Sequence, residues 1–321
     1  QRKYDSKLAL GSIMAGGTLG ILIPPSILAI IYAVVAQQSV GELYIGAVFP
    51  GLLLSGLYMA YALIRSFINP KLGPALPKEE RLRLREKLVL LRSMIAPIIL
   101  IVLVLGLIFS GMATPVESAG VGSFGAIVVA AMHRRLTFTS VKEASFICMR
   151  NSALVLWIMF GASIFVAFYV LQGGGDFVTE MILGTGLGPY GILFLMMIIL
   201  IFLGMFLDWV GILLLAVPIF VPIVMKLQFD GLFGLPGVKA DEVALWFGII
   251  YLVNMQMSFI SPPYGPALFY MRGVAPKEIP TSQIFLASIP FLGLQALGLF
   301  ICIIYPEIAL YLPRLAFGTP K

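Results

Sequence analysis

Met257-Ser-Phe-Ile-Ser-Pro-Pro-Tyr-Gly-Pro-Ala-Leu-Phe-Tyr-Met-Arg272 decides how this chain is read. The flanking sequence is apolar, yet the stretch holds three prolines, a glycine, two serines and two tyrosines. Proline removes a backbone donor and clashes with the preceding turn of a helix. In hydrocarbon no water replaces the lost hydrogen bond. A helix running into this stretch must therefore break, and the opened backbone must face protein, a cavity, an ion or a solute. A second stretch, Gly16-Gly-Thr-Leu-Gly-Ile-Leu-Ile-Pro-Pro-Ser26, carries the same instruction. Paired interruptions in two halves of a membrane chain point to the binding site of a transporter.

Composition sets the class. Of 321 residues, 60% are hydrophobic and 11% charged, and mean hydropathy is +1.04. A soluble protein needs more polar surface than that. The apolar runs are long and unbroken, where barrel strands would alternate. The expected fold is an all-α polytopic membrane protein. The net charge of +6 is gathered in a few loops, so it reports orientation rather than nucleic-acid binding. The single histidine, His133, excludes histidine-rich metal sites and, beside Arg134 and Arg135, is read as a loop residue. No phosphate-cradling loop of the P-loop type occurs, so any transport draws on an ion gradient or a partner. Cys148 and Cys302 lie far apart in apolar surroundings and are not expected to pair. No enzymatic activity is expected.

Outward from the two breaks, the spans follow in order. Leu8–Gln37 spans with an interruption, and Leu43–Ile64 spans with a kink at Pro50. Arg65–Arg92, with eight Lys and Arg residues, is read as a cytoplasmic loop carrying a short surface helix. Met94–Ser110 and Val116–Met132 form a pair around Gly111-Met-Ala-Thr-Pro115. The basic stretch His133–Arg150 is read as a second inside loop. Asn151–Leu171 spans outward, and Gln172–Gly188, rich in glycine and free of Lys and Arg, is read as an outside loop. Tyr190–Met225 is interrupted at Gly204-Met-Phe-Leu-Asp-Trp-Val-Gly211. Each arm is about 20–25 Å long, short for a core of about 30 Å. It is read as a re-entrant hairpin, with two ordinary short spans as the alternative. Leu245–Met271 crosses inward through the second break to Arg272 and Lys277, Ile284–Ile304 crosses out, and Tyr305–Lys321 is a tail.

An inverted repeat emerges from this order. Pro24 is followed 26 residues later by Pro50, and Pro262 is followed 28 residues later by Pro290. Each copy is a broken helix, a polar turn and a Pro-kinked span, and the charge pattern runs the two copies in opposite directions. At each break one half-helix ends in free carbonyls and the other begins with free N–H groups. Carbonyls and hydroxyls suit a hard cation such as Na⁺, and the N–H end suits a carboxylate. Gly17, Thr18, Gly20, Asp208, Ser258 and Ser261 are the sodium candidates. Pro24, Pro25, Ser26, Asn254, Pro262, Pro263, Tyr264 and Gly265 are the substrate candidates. Asp208, an acid at the hairpin tip, either binds a cation or fixes the turn. Thr114, Pro115 and Glu117 have the pattern of a helix start.

The motifs Gly20-Ile-Leu-Ile-Pro-Pro-Ser-Ile27, Phe49-Pro-Gly-Leu52, Gly111-Met-Ala-Thr-Pro-Val-Glu-Ser-Ala119, Gly204-Met-Phe-Leu-Asp208 and Phe259-Ile-Ser-Pro-Pro-Tyr-Gly265 resemble the large membrane subunit of tripartite ATP-independent periplasmic (TRAP) transporters. The resemblance implies an inverted-repeat, elevator-type carrier in a bacterial or archaeal inner membrane, taking up one small organic acid, such as a dicarboxylate, with Na⁺. It implies a small four-helix membrane subunit and a periplasmic solute-binding protein as partners, with no organic cofactor. A self-sufficient Na⁺/organic-anion symporter of the related superfamily is the alternative. Residues 1–42 would form the first broken helix of the transport domain, and 43–171 scaffold spans and connecting helices. Residues 172–283 would form the second hairpin and second broken helix, and 284–321 a C-terminal scaffold span and tail. The family has further spans and a first hairpin before Tyr4-Asp5, so the chain is expected to be an N-terminally shortened subunit. Ser261 in place of Thr, Tyr264 in place of Val, and Trp209 in place of Pro after Asp208 depart from many relatives. They point to keto, hydroxy or aromatic acids.

Overall fold

A computed structural model describes residues 4–74, 84–232 and 234–318. Among the described residues there are thirteen helices: α1 Ser6–Leu22, α2 Ile27–Ala36, α3 Val40–Ile68, α4 Leu84–Phe109, α5 Pro115–Met132, α6 Phe138–Leu171, α7 Gly174–Leu183, α8 Pro189–Gly204, α9 Trp209–Val224, α10 Val243–Ile260, α11 Pro266–Val274, α12 Thr281–Ile304 and α13 Glu307–Phe317. Five are long and apolar enough to cross a membrane, and α1 with α2, bent by 42° at their break, pass the same test together. The all-α polytopic fold follows from this inventory.

Both Pro-Pro pairs end helices where expected. α1 stops at Leu22 and α2 starts at Ile27; α10 stops at Ile260 and α11 starts at Pro266. Pro50 and Pro290 sit inside α3 and α12. The arms α8 and α9 have 16 residues each, about 24 Å at 1.5 Å per residue, shorter than a bilayer core of about 30 Å.

Three expectations are corrected. The stretch His133–Arg150 is not a loop throughout, because α6 begins at Phe138 and runs 34 residues. The glycine-rich segment Gln172–Gly188 contains α7, started by Gly173 at φ 73°. The tail Tyr305–Lys321 contains α13, which packs along α3. In the basic segment Arg65–Arg92, α3 extends to Ile68 and α4 starts at Leu84; the residues numbered 75–83, including Lys78 and Arg81, lie outside the described ones.

The chain divides into two compact units, 1–74 with 158–321, and 75–157. In the smaller unit α4 and α5 pack as a hairpin. The larger unit is built around α10. Its Trp246, Phe247 and Tyr251 have no solvent exposure, and 94% of its most apolar window is buried inside protein. α1, α3, α8 and α12 surround it. Gly248 permits a close approach of α2, since a Cβ there would lie 2.4 Å from the Tyr32 ring. The Tyr32 hydroxyl donates to the Ala244 carbonyl at 3.0 Å, and the Trp246 indole to the Cys302 carbonyl at 3.3 Å.

Two contacts tie the ends of this unit. A hydrogen bond from the Gln283 amide to the Ser6 hydroxyl sets the starts of α1 and α12 side by side, as they must be if both begin on the basic side. At another point Arg314 of α13 grips Glu242 through two hydrogen bonds, 2.7 and 2.6 Å long, and also pairs with Glu307. Glu242 is 2% exposed. Its hydrogen bonds, ahead of its Coulomb attraction, push the Arg314 guanidinium above the usual arginine range and keep it charged.

Candidate functional site: two helix breaks and a hairpin end

At the first break the loss of donors is specific. Pro24 and Pro25 have no N–H, so the carbonyls of Gly20 and Ile21 lack their helical partners. Ser26 repairs one of them by donating its hydroxyl to the Ile21 carbonyl. The same oxygen accepts from Ala29 N–H at 3.3 Å and caps α2. The Ser26 carbonyl accepts from the Tyr44 hydroxyl at 3.3 Å. Ser26 is thus buried and bound to backbone on both sides of the gap, while the Gly20 carbonyl keeps no helical donor. Gly17 lies within α1 rather than in the gap, and both glycines face open space. Thr18 is buried; its hydroxyl donates to the Ala15 carbonyl at 2.9 Å.

The second break repeats the pattern. Pro262 and Pro263 deprive the Ser258 and Phe259 carbonyls of donors. The Ser261 hydroxyl turns back to the Met257 carbonyl at 2.7 Å, and the Ser261 carbonyl accepts from Gly265 N–H at 2.9 Å. Gly265 fits only without a side chain, since a Cβ would stand 2.6 Å from the Phe259 carbonyl oxygen. Both Pro-Pro bonds are cis. Tyr264 is 60% exposed and stacks on Phe269 with ring centroids 5.9 Å apart.

The hairpin meets the second break through its first arm. The Asn254 amide donates to the Met197 carbonyl at 3.1 Å, but its Oδ1 has no partner, and the residue has no exposure. One turn later the Ser258 hydroxyl, 3% exposed, has no partner either. It presses on the end of α8, where a Cβ on Gly204 would lie 2.0 Å from the serine oxygen. Two buried neutral oxygens therefore stand one turn apart on one face of α10, Asn254 facing Met197 within α8 and Ser258 facing the carbonyl end of α8 at Gly204. Asp208 is exposed, not turned into this cluster; it caps α9 by accepting from Val210 N–H at 3.2 Å. Among the described residues no group of three His, Cys, Asp or Glu side chains could hold a metal ion. A cation at this place would meet carbonyls, a hydroxyl and an amide oxygen, a hard and neutral donor set.

A cavity of about 380 Å³ opens between α1 and α11. Gly17, Thr18, Ile13, Phe259, Tyr270 and Met271 line it, so the two halves of the chain share one space there. The structure thus brings Gly17 and Thr18 to the cavity, and Asn254 and Ser258 to the hairpin. Pro24, Pro25, Ser26 and Tyr264 line neither place. Sequence reasoning missed Gln295, which is fully buried and donates to the Thr18 hydroxyl at 3.5 Å. Its Oε1 and the nearby Tyr58 hydroxyl interact without a hydrogen bond of standard geometry. A lone amide in the apolar run after Pro290 was the available signal. Thr114, Pro115 and Glu117, in the smaller unit, form a complete capping box: Glu117 accepts from Thr114 N–H at 2.8 Å, and Thr114 accepts from Glu117 N–H at 3.3 Å.

Comparison with known proteins fits this architecture to a family. The family described as "Tripartite ATP-independent periplasmic transporter, DctM component" matches residues 1–308. The chain belongs to this DctM family. The C4-dicarboxylate TRAP transporter large permease protein DctM of Pseudomonas aeruginosa is 31% identical over 97% of this chain and 68% of its own length. The sialic acid TRAP transporter large permease protein SiaM of Vibrio cholerae is 28% identical over 98% of this chain and 70% of its own. The isethionate TRAP transporter permease protein DctMQ of Oleidesulfovibrio alaskensis is 28% identical over 97% and 46%. As a DctM-family large permease, the protein is a multi-pass component of the inner membrane and a transporter rather than an enzyme.

Proposed function

We propose that this DctM-family permease takes up a small organic acid, driven by Na⁺, together with a small four-helix membrane subunit and a periplasmic solute-binding protein. The observation that carries the sodium part is the pair of buried, partnerless oxygens on Asn254 and Ser258, set beside carbonyls stripped of donors by Pro262 and Pro263. Buried acceptors without donors are costly in a protein interior. A dehydrated monovalent cation satisfies several at once. Thr18 and the Gly20 carbonyl offer the matching oxygens at the first break. Ser261 and Asp208 contribute less directly, the first by holding the end of α10 and the second by fixing the hairpin turn.

The acid part rests on the opposite poles of the same breaks. α2 and α11 both begin just after a Pro-Pro pair, and their N-terminal dipoles favour a carboxylate or sulfonate. The relatives named for C4-dicarboxylate, sialic acid and isethionate all handle anions of this kind. Tyr264, Phe269 and Tyr270 add aromatic surface near the second break, which suits keto, hydroxy or aromatic acids. α3 and α12 bury α1 and α10; that packing supports grouping them with the broken helices and the hairpin, in place of the scaffold role expected for them from sequence.

The test is uptake of a labelled acid by the full-length protein and its partners in liposomes. Uptake should need an inward Na⁺ gradient, and Ser258→Ala should raise the Na⁺ concentration for half-maximal rate severalfold. Equal uptake with K⁺ in place of Na⁺ would refute sodium coupling, and an unchanged Na⁺ titration in Ser258→Ala would refute the site.

A further inference from the structure

A second cavity, of about 260 Å³, lies where the start of α1, the end of α3 and the first half of α12 meet. Its walls are fixed. Asp5 N–H donates to the Leu72 carbonyl at 2.9 Å, which folds the turn after α3 back over the start of α1. The Tyr61 and Phe291 rings meet edge to face, with centroids 5.3 Å apart. The Gln283–Ser6 bond ties α12 to α1 just outside the opening. Inside, the chemistry is divided. Lys7, Arg65 and Tyr61 supply two cations and a hydroxyl, and Leu286, Pro290 and Phe291 supply an apolar wall. Neither Lys7 nor Arg65 forms an ion pair among the described residues. Asp5 also borders the space, but one carboxylate oxygen is engaged by Leu8 N–H at 2.8 Å as the cap of α1. The three charged groups sum to a net positive site.

We infer that this cavity holds the headgroup of an anionic phospholipid of the cytoplasmic leaflet. Its position suits that ligand. The basic side of the membrane is the cytoplasmic one, and α1 and α12 start there together. Pro290 stands nine residues into α12, about 13 Å at 1.5 Å per residue, so the cavity reaches from the headgroup level into the acyl region. A phosphate meets Lys7 and Arg65 at the mouth while the glycerol and upper chain lie on Leu286 and Phe291. A free phosphate would leave the apolar wall unused. Basic pockets between membrane helices on the cytoplasmic side select acidic headgroups in this way. The bound lipid bridges α1, α3 and α12, three of the elements that pack against α10.

The test is native mass spectrometry of the full-length detergent-purified protein with added phosphatidylglycerol, phosphatidylcholine or inorganic phosphate. Phosphatidylglycerol should bind in preference to phosphatidylcholine. Arg65→Gln should raise its apparent Kd about fivefold and the Lys7→Gln/Arg65→Gln pair about thirtyfold, from roughly 1 kcal/mol per cation. Lys142→Gln/Arg150→Gln, a matched charge loss on α6, should leave the affinity as it was. Unchanged phosphatidylglycerol binding in the Lys7/Arg65 pair would overturn the proposal. So would displacement of the lipid by an equal concentration of inorganic phosphate, which would mark the cavity as a site for a free anion.

Discussion

Replacing Gly204 by alanine tests the contact on which the candidate cation site depends. A Cβ at this position would lie 2.0 Å from the Ser258 oxygen, 2.3 Å from its Cβ and 3.3 Å from its Cα. Rotating the hydroxyl removes only the first clash. The second forces α8 and α10 apart by more than 1 Å or breaks the end of α8. Overpacking of this kind costs about 1–3 kcal/mol, and the extreme closeness places it at the upper end. Alanine returns up to about 1 kcal/mol of helix propensity relative to glycine, so the expected net loss is about 2 kcal/mol. The partner variants separate the causes. Ser258→Ala keeps the offending Cβ and should not rescue Gly204→Ala, whereas Ser258→Gly should recover most of the stability. The assay is loss of monodisperse protein on heating, read by size-exclusion chromatography, with the Na⁺ titration of uptake measured alongside. A Gly204→Ala protein as stable as the parent, or equal rescue by Ser258→Ala and Ser258→Gly, would show that α8 and α10 do not meet as described.

Arg314→Met should destabilise by about 3–5 kcal/mol, because it strands the buried Glu242 carboxylate without a counter-charge; Glu242→Leu/Arg314→Met should recover much of that loss, and the comparison is a thermal unfolding series. Ser26→Ala should cost about 1 kcal/mol through the lost cap of α2, with Ser26→Gly closer to the parent, and neither should move the midpoint of the Na⁺ titration if that hydroxyl is spent on backbone as its bonds to Ile21 and Ala29 indicate.

The parts of the fold visible in the sequence were those governed by backbone chemistry. A proline cannot donate wherever it is placed, so the gaps at Pro24-Pro25 and Pro262-Pro263 and the short arms around Gly204–Gly211 followed from residue identity alone. What escaped notice were elements whose order comes from tertiary neighbours. α13 is short and contains Pro313 and Arg314, yet Ala309 and Leu310 are fully buried, and Arg314 ties it to Glu242. The start of α6 carries Lys142, Glu143 and Arg150, which resemble a loop when only charge is read, although nothing in them forbids a helix. At the candidate site, what each side chain bonds to was not readable from its type. Whether a serine hydroxyl is satisfied by its own helix, as at Ser261, or left over, as at Ser258, depends on a neighbour some 50 residues away in sequence, at Gly204. Gln295 could be flagged as polar, but its partnership with Thr18 required the packing of α12 on α1.

The near-complete enclosure of α10 has a mechanical consequence. A rod with no lipid-facing flank offers no seam along which it can slip, because every side is keyed into a neighbour by interlocking rings such as Tyr32 and Trp246. Shear within this unit is therefore displaced outward to the rim of that sleeve, away from its axis.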